Sequence, residues 1–131
     1  MKTSTTWQGK HEFESKQEGN AIRLDGNRLT GFSPKALLLS GLAGCSGIDL
    51  VDILEKMRVP FTTITIDAEA EQTEQHPKVF KDIHLVYRVG TDAENEIKVR
   101  KAIELSLEKY CGVSAMLKKN SGIHYKLQLI K

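Results

Sequence analysis

Ser33-Pro34-Lys35-Ala36-Leu37-Leu38-Leu39-Ser40-Gly41-Leu42-Ala43-Gly44-Cys45-Ser46-Gly47-Ile48-Asp49-Leu50 is the stretch on which the fold turns. Ser33-Pro34 supplies an N-cap and a first-turn proline, whose fixed φ suits the opening of a helix. The helix is expected from about Pro34 to Met57, stopping short of Pro60. Its first half is apolar on every side, and such a helix must be buried on every side. Beyond it Ile48, Leu50, Val51 and Leu54 continue a buried stripe, while Asp52, Glu55 and Lys56 face water. The chain has 131 residues with 40% hydrophobic content, enough for a single compact domain over residues 1–131. A domain of this size rarely surrounds a central helix alone, so a second subunit is expected to cover one side.

Upstream, residues 4–8, 11–16 and 21–25 read as three short strands. Gly9-Lys10 and Glu18-Gly19-Asn20 provide the turns, and Asp25-Gly26-Asn27 closes the third strand. Downstream, residues 61–71 alternate with Ile64, Ile66, Ala68 and Ala70 on one face. Residues 79–89 do the same with Ile83, Leu85, Tyr87 and Val89, and residues 123–130 with Ile123, Tyr125, Leu127 and Leu129. Period-two alternation with a polar outer face predicts antiparallel sheet with one side solvated. Between these strands a helix is expected over 92–109, capped by Asp92, with Ile97, Val99, Ala102, Ile103 and Ser106 toward the core. A shorter helix opens near Cys111-Gly112 and ends at Asn120-Ser121-Gly122. The class is α+β.

Composition excludes several functions. The net charge is only +2, and the basic residues are scattered, so no stripe points to nucleic acid. Met1-Lys2-Thr3-Ser4-Thr5 lacks the apolar core of a signal peptide, which leads to a cytoplasmic expectation. The apolar run from Ala36 to Cys45 is too short to span a bilayer, so no membrane association is expected. Of His11, His76, His84 and His124, none has ligand-like spacing to another histidine or to a cysteine, so no metal site and no cofactor are expected.

Chemistry therefore rests on two cysteines. In a reducing compartment a structural disulfide is not expected. Cys45 lies among Gly41, Gly44 and Gly47, each a poor helix former. Small residues there serve close packing of another helix, or leave space for a substrate beside the thiol. A buried helical cysteine is by itself an inert small hydrophobe. Cys111, in Lys109-Tyr110-Cys111-Gly112-Val113-Ser114, opens a helix, where amide donors and the helix dipole are expected to lower its pKa; the alternative is a plain capping or core cysteine. Asp49 lies one turn beyond Cys45 on nearly the same face, where a carboxylate disfavours a thiolate unless paired.

The central-helix stretch, Ser33-Pro34 through Leu37-Leu38 to Gly41-Leu42-Ala43-Gly44-Cys45-Ser46, resembles a motif of the OsmC/Ohr family. Glu108-Lys109-Tyr110-Cys111-Gly112-Val113-Ser114 resembles that family's second cysteine motif, and the element order agrees over nearly the whole chain. The resemblance implies an OsmC-like α+β fold, with antiparallel sheets packed on a long buried central helix in an intertwined homodimer. It implies a thiol peroxidase in which Cys45 attacks an organic hydroperoxide and Cys111 resolves the sulfenic acid, with a thiol reductant closing the cycle. Arg23, in Arg23-Leu24-Asp25-Gly26, resembles the family's arginine and is the candidate cation beside the thiolate, with Arg28 as fallback. Family peroxidases carry a glutamate after the helix-opening proline to orient that arginine; here the position is Lys35. Lys35 and Asp49 are the candidate substrate-contacting residues. The alternative reading is a non-catalytic dimer holding a small apolar or electrophilic ligand beside Cys45.

Overall fold

Residues 1–130 are described by a computed structural model. Their elements run β1 (Ser4–Gly9), β2 (Glu12–Gln17), β3 (Asn20–Asp25), α1 (Pro34–Lys56), β4 (Ile64–Gln72), β5 (Phe80–Gly90), α2 (Glu96–Leu105), α3 (Gly112–Leu117) and β6 (Ile123–Ile130). The chain divides into two compact units, Met1–Leu39 and the residues from Ser40 onward, with α1 running from one into the other.

The first unit is the expected antiparallel meander β1-β2-β3. Glu18 and Gly19 both take positive φ between the paired residues Gln17 and Asn20, the two-residue turn whose twist matches a hairpin. After β3 the chain folds back on itself: the Asp25 amide donates to the Phe32 carbonyl at 2.9 Å, and the Phe32 amide to the Arg23 carbonyl at 3.1 Å. This approach requires glycine at position 31, because a Cβ there would lie 2.5 Å from the Arg23 carbonyl oxygen. Asp25 organises the loop from within, accepting from the amides of Asn27, Leu29 and Thr30 at 2.8, 3.0 and 3.1 Å. The Asn27 amide, with those of Thr30 and Leu29 behind it, holds the Asp25 carboxyl below its ordinary pKa despite burial.

In the second unit β4 and β5 pair antiparallel as expected, whereas β6 lies parallel to β5. The uniformly antiparallel expectation is therefore corrected to a mixed sheet of order β4-β5-β6. The cause is the connection: α2 and α3 carry the chain from the end of β5 back to its start, so β6 runs alongside it. The inward faces are those read from the alternation. Ile83, Leu85, Tyr87 and Val89 of β5, Val99, Ala102 and Ile103 of α2, and Leu42, Leu50 and Leu54 of α1 are buried.

Two assignments to the core are corrected. Ile48 is 67% exposed and Ile97 is 81% exposed. At 100° per residue Ile48 stands opposite the Leu42–Ser46–Leu50–Leu54 stripe, and Ile97 stands opposite Val99–Ala102–Ile103. The single helix expected over 92–109 is a 3₁₀ turn at Ala93–Asn95, then α2, then a π-helical turn at Ser106–Tyr110. The Asp92 side chain makes no capping bond. As one continuous helix of 23 residues, α1 is long and apolar enough by length and composition to cross a bilayer, which the span Ala36–Cys45 alone does not reveal. Only one stripe of it, Leu42, Ser46, Leu50 and Leu54, is buried, and Leu38 is exposed, so the expected burial of its first half on every side is not met within one chain.

Candidate functional site

Cys45 and Asp49 are four residues apart on α1 and share one flank of the helix. Cys111 is delivered to the same place by the π-helical turn. Its amide donates to the Ser106 carbonyl at 2.7 Å, a five-residue step that adds a residue to the last turn and redirects the chain beyond it. It then caps α3, its Sγ accepting from the Ser114 amide at 3.2 Å. The Sγ atoms of Cys45 and Cys111 and a carboxylate oxygen of Asp49 all lie within 4.8 Å of one another. Both cysteines are free thiols, Cys111 buried and Cys45 partly accessible.

The expected lowering of the Cys111 pKa is corrected: it is pushed up to about 11. Burial is the main cause, the hydrogen bond with the Cys45 thiol adds to it, and the opposing Ser114 amide is outweighed. A cap residue only 3% exposed loses more hydration on ionising than one amide and a six-residue helix return. The nearby Asp49 charge works in the same direction.

Beneath the thiols runs a buried chain of hydroxyls that sequence reasoning missed. Tyr87 Oη lies 2.6 Å from Ser46 Oγ, and Ser106 Oγ lies 2.9 Å from both Ser46 Oγ and Asp49 Oδ2. A serine hydroxyl has one proton, and an ionised carboxylate can only accept. Ser106 therefore donates to Asp49, Ser46 to Ser106, and Tyr87 to Ser46. Burial pushes the Tyr87 phenol up to about 12, although its bond to Ser46 acts the other way. The signals were polar residues on core-facing positions: Ser46 beside Cys45, Ser106 on the inner face of α2, and Tyr87 on the inner face of β5. Beside Asp49 opens a cavity of about 240 Å³ lined also by Asp52, Ile53, Lys56 and Tyr110.

The other predicted site residues lie in the first unit. Arg23, on β3, pairs with Glu12 of β2 at 3.1 Å, and the Thr30 hydroxyl donates to the same carboxylate oxygen at 2.8 Å. Glu12 is a partner that sequence reasoning did not identify. It supplies the arginine with the carboxylate that Lys35 cannot. Lys35 is exposed in the first turn of α1, and Arg28 is exposed on the loop with a left-handed backbone, φ 58°.

Fold and site together define an α+β protein in which two free thiols and a carboxylate converge. The sequence model of the OsmC-like protein family matches residues 25–126, and the chain belongs to that family. It is 34% identical to Protein YhfA of Escherichia coli K12 over 113 residues, covering 86% of this chain and 84% of that protein. The crystal structure of a hypothetical protein from Aquifex aeolicus superposes with a TM-score of 0.83 at 28% identity, covering 99% and 97% of the two chains. An organic hydroperoxide resistance protein OsmC from Legionella pneumophila, described as a predicted redox protein, superposes with a TM-score of 0.70 at 14% identity, covering 98% and 97%. At that identity the likeness concerns the fold alone.

Proposed function

We propose that this protein is a thiol-based redox protein that reduces organic hydroperoxides, with Cys45 as the attacking thiol and Cys111 as the resolving thiol. The observation that carries the reading is the asymmetry of two adjacent thiols, with Sγ atoms no more than 4.8 Å apart. Cys45 is partly accessible to an incoming oxidant, whereas Cys111 is buried and holds its proton up to about 11. An attacking group must be an accessible thiolate, whereas a resolving group need only reach the oxidised sulfur.

In the first step the Cys45 sulfur attacks the terminal oxygen of the hydroperoxide. The O–O bond breaks, the alkoxide leaves as an alcohol after taking a proton, and Cys45 becomes a sulfenic acid. In the second step the Cys111 sulfur attacks Cys45, a disulfide forms, and the hydroxyl leaves as water with the Cys111 proton. A dithiol reductant returns two electrons and two protons to restore both thiols. In this proposal Arg23 supplies the positive charge, steadied by Glu12, and the setting is a reducing cytoplasm. The functional unit is a homodimer. Ile48 is exposed, and a Cβ on Gly41 or Gly44 would meet nothing within 4 Å, so this side of α1 has room for a partner helix.

Stopped-flow consumption of cumene hydroperoxide tests the reading. Wild type is expected to consume it with matching loss of two thiols, and Cys45→Ser to be inactive. Equal, slow consumption by both proteins would refute it.

A further inference from the structure

We propose that the reduced protein binds a thiophilic divalent cation, zinc, through Cys45, Asp49 and Cys111. This site shares residues with the redox reading but does not depend on it. Two thiols and one carboxylate converge within 4.8 Å. A tetrahedral zinc ion with bonds of about 2.0–2.3 Å holds its donors roughly 3.5–3.8 Å apart, so the three groups need to close by only about 1 Å. Sulfur donors select zinc over magnesium or calcium, which prefer all-oxygen shells. Three protein ligands leave a fourth position, and the partly exposed Cys45 and Asp49 leave that side open to solvent or an exogenous donor.

The surroundings have the form of a supporting shell. Ser106, itself fully buried, donates to Asp49 Oδ2 at 2.9 Å and is backed by Ser46 and Tyr87. A ligating carboxylate held by an outer hydrogen bond keeps its orientation, and losing such a bond weakens metal affinity about 10–100-fold. On binding, the two S–H bonds break and both protons leave to solvent. Each sulfur and the carboxylate then donate an electron pair to the cation, leaving the centre with one net negative charge. No oxidation state changes.

The test is anaerobic titration of the fully reduced full-length protein with cobalt(II), and then with zinc. The expected result is one equivalent bound, with an intense sulfur-to-cobalt charge-transfer band and tetrahedral visible bands that zinc abolishes. Cys45→Ser and Cys111→Ser are expected to lose the band, and Ser106→Ala to weaken binding about 10–100-fold. Should those variants fail to fold, wild type still decides: zinc is expected to protect both cysteines from alkylation together. No charge-transfer band at stoichiometric cobalt, or a band undiminished in Cys111→Ser, would overturn the proposal. So would alkylation unaffected by zinc. Because no peroxide is present, the outcome is independent of whether the protein turns hydroperoxides over.

Discussion

Replacing Tyr87 by phenylalanine removes the first hydroxyl of the buried chain and leaves the ring in place against Tyr125, whose centroid is 6.0 Å away. No cavity of methyl size forms, so the cost isolates the hydrogen bond. Ser46 loses the proton it accepts, while its own bond to Ser106 persists; a net intramolecular bond of this kind contributes about 0.5–1.5 kcal/mol. With an unfolding entropy of roughly 0.28 kcal/mol/K, scaled for 131 residues, the melting temperature should fall by about 2–5 °C. The alkaline limb should change as well. Folded Tyr87 releases its proton at about 12 against an ordinary value of 10.0, and Cys111 at about 11 against 9.0. Each group binds its proton more tightly folded than unfolded. Its contribution is therefore complete below the unfolded value and is lost as pH rises through the folded one. At about 1.4 kcal/mol per unit, Tyr87 alone accounts for roughly 3 kcal/mol of lost stability between pH 10 and 12. Urea unfolding of both proteins, with chelator present, from pH 7 to 12 measures this. Tyr87→Phe should be the less stable at pH 7 and should lose less stability above pH 10. An unchanged midpoint at pH 7 together with an unchanged alkaline slope would refute the buried chain.

Three further outcomes are expected. Gly31→Ala should cost about 1–3 kcal/mol in chemical denaturation, because its Cβ collides with the Arg23 carbonyl rather than with a flexible side chain. Glu12→Gln should slow thiol oxidation by hydroperoxide in the same direction as Arg23→Ala, and in the double variant the two effects should not add, since one ion pair is removed. Ile48→Asp should yield a monomer by analytical ultracentrifugation, because it charges the exposed apolar face of α1; an unchanged dimer would move the interface elsewhere.

The elements that could be read from sequence were those governed by local physics. Ser33-Pro34 and the apolar run fixed α1, strict alternation identified the inward residues of β4, β5 and β6, and the cap position of Cys111 came from Cys111-Gly112 before a helical run. What escaped depends on partners distant in sequence. The parallel pairing of β6 is a property of the crossover, and alternation is the same for either strand direction. The π-helical turn at Ser106–Tyr110 adds one residue that helical periodicity cannot reveal, and it brings Cys111 to Cys45. Dipole reasoning gave the wrong sign for Cys111 because burial, the larger contribution, is a tertiary quantity. Glu12 pairs with Arg23 only through the β2–β3 register. Hydrophobicity alone places Ile48 and Ile97 inward, whereas their helical phase turns both outward.

The most direct test of the thiol-pair mechanism is peptide mapping by mass spectrometry after the reduced protein meets one equivalent of an organic hydroperoxide. The expected products are an intramolecular Cys45–Cys111 disulfide, formed as the hydroperoxide becomes alcohol, and a trapped Cys45 sulfenic acid in Cys111→Ser. Two fully alkylatable thiols with the hydroperoxide unconsumed, or oxidation confined to Cys111, would contradict it.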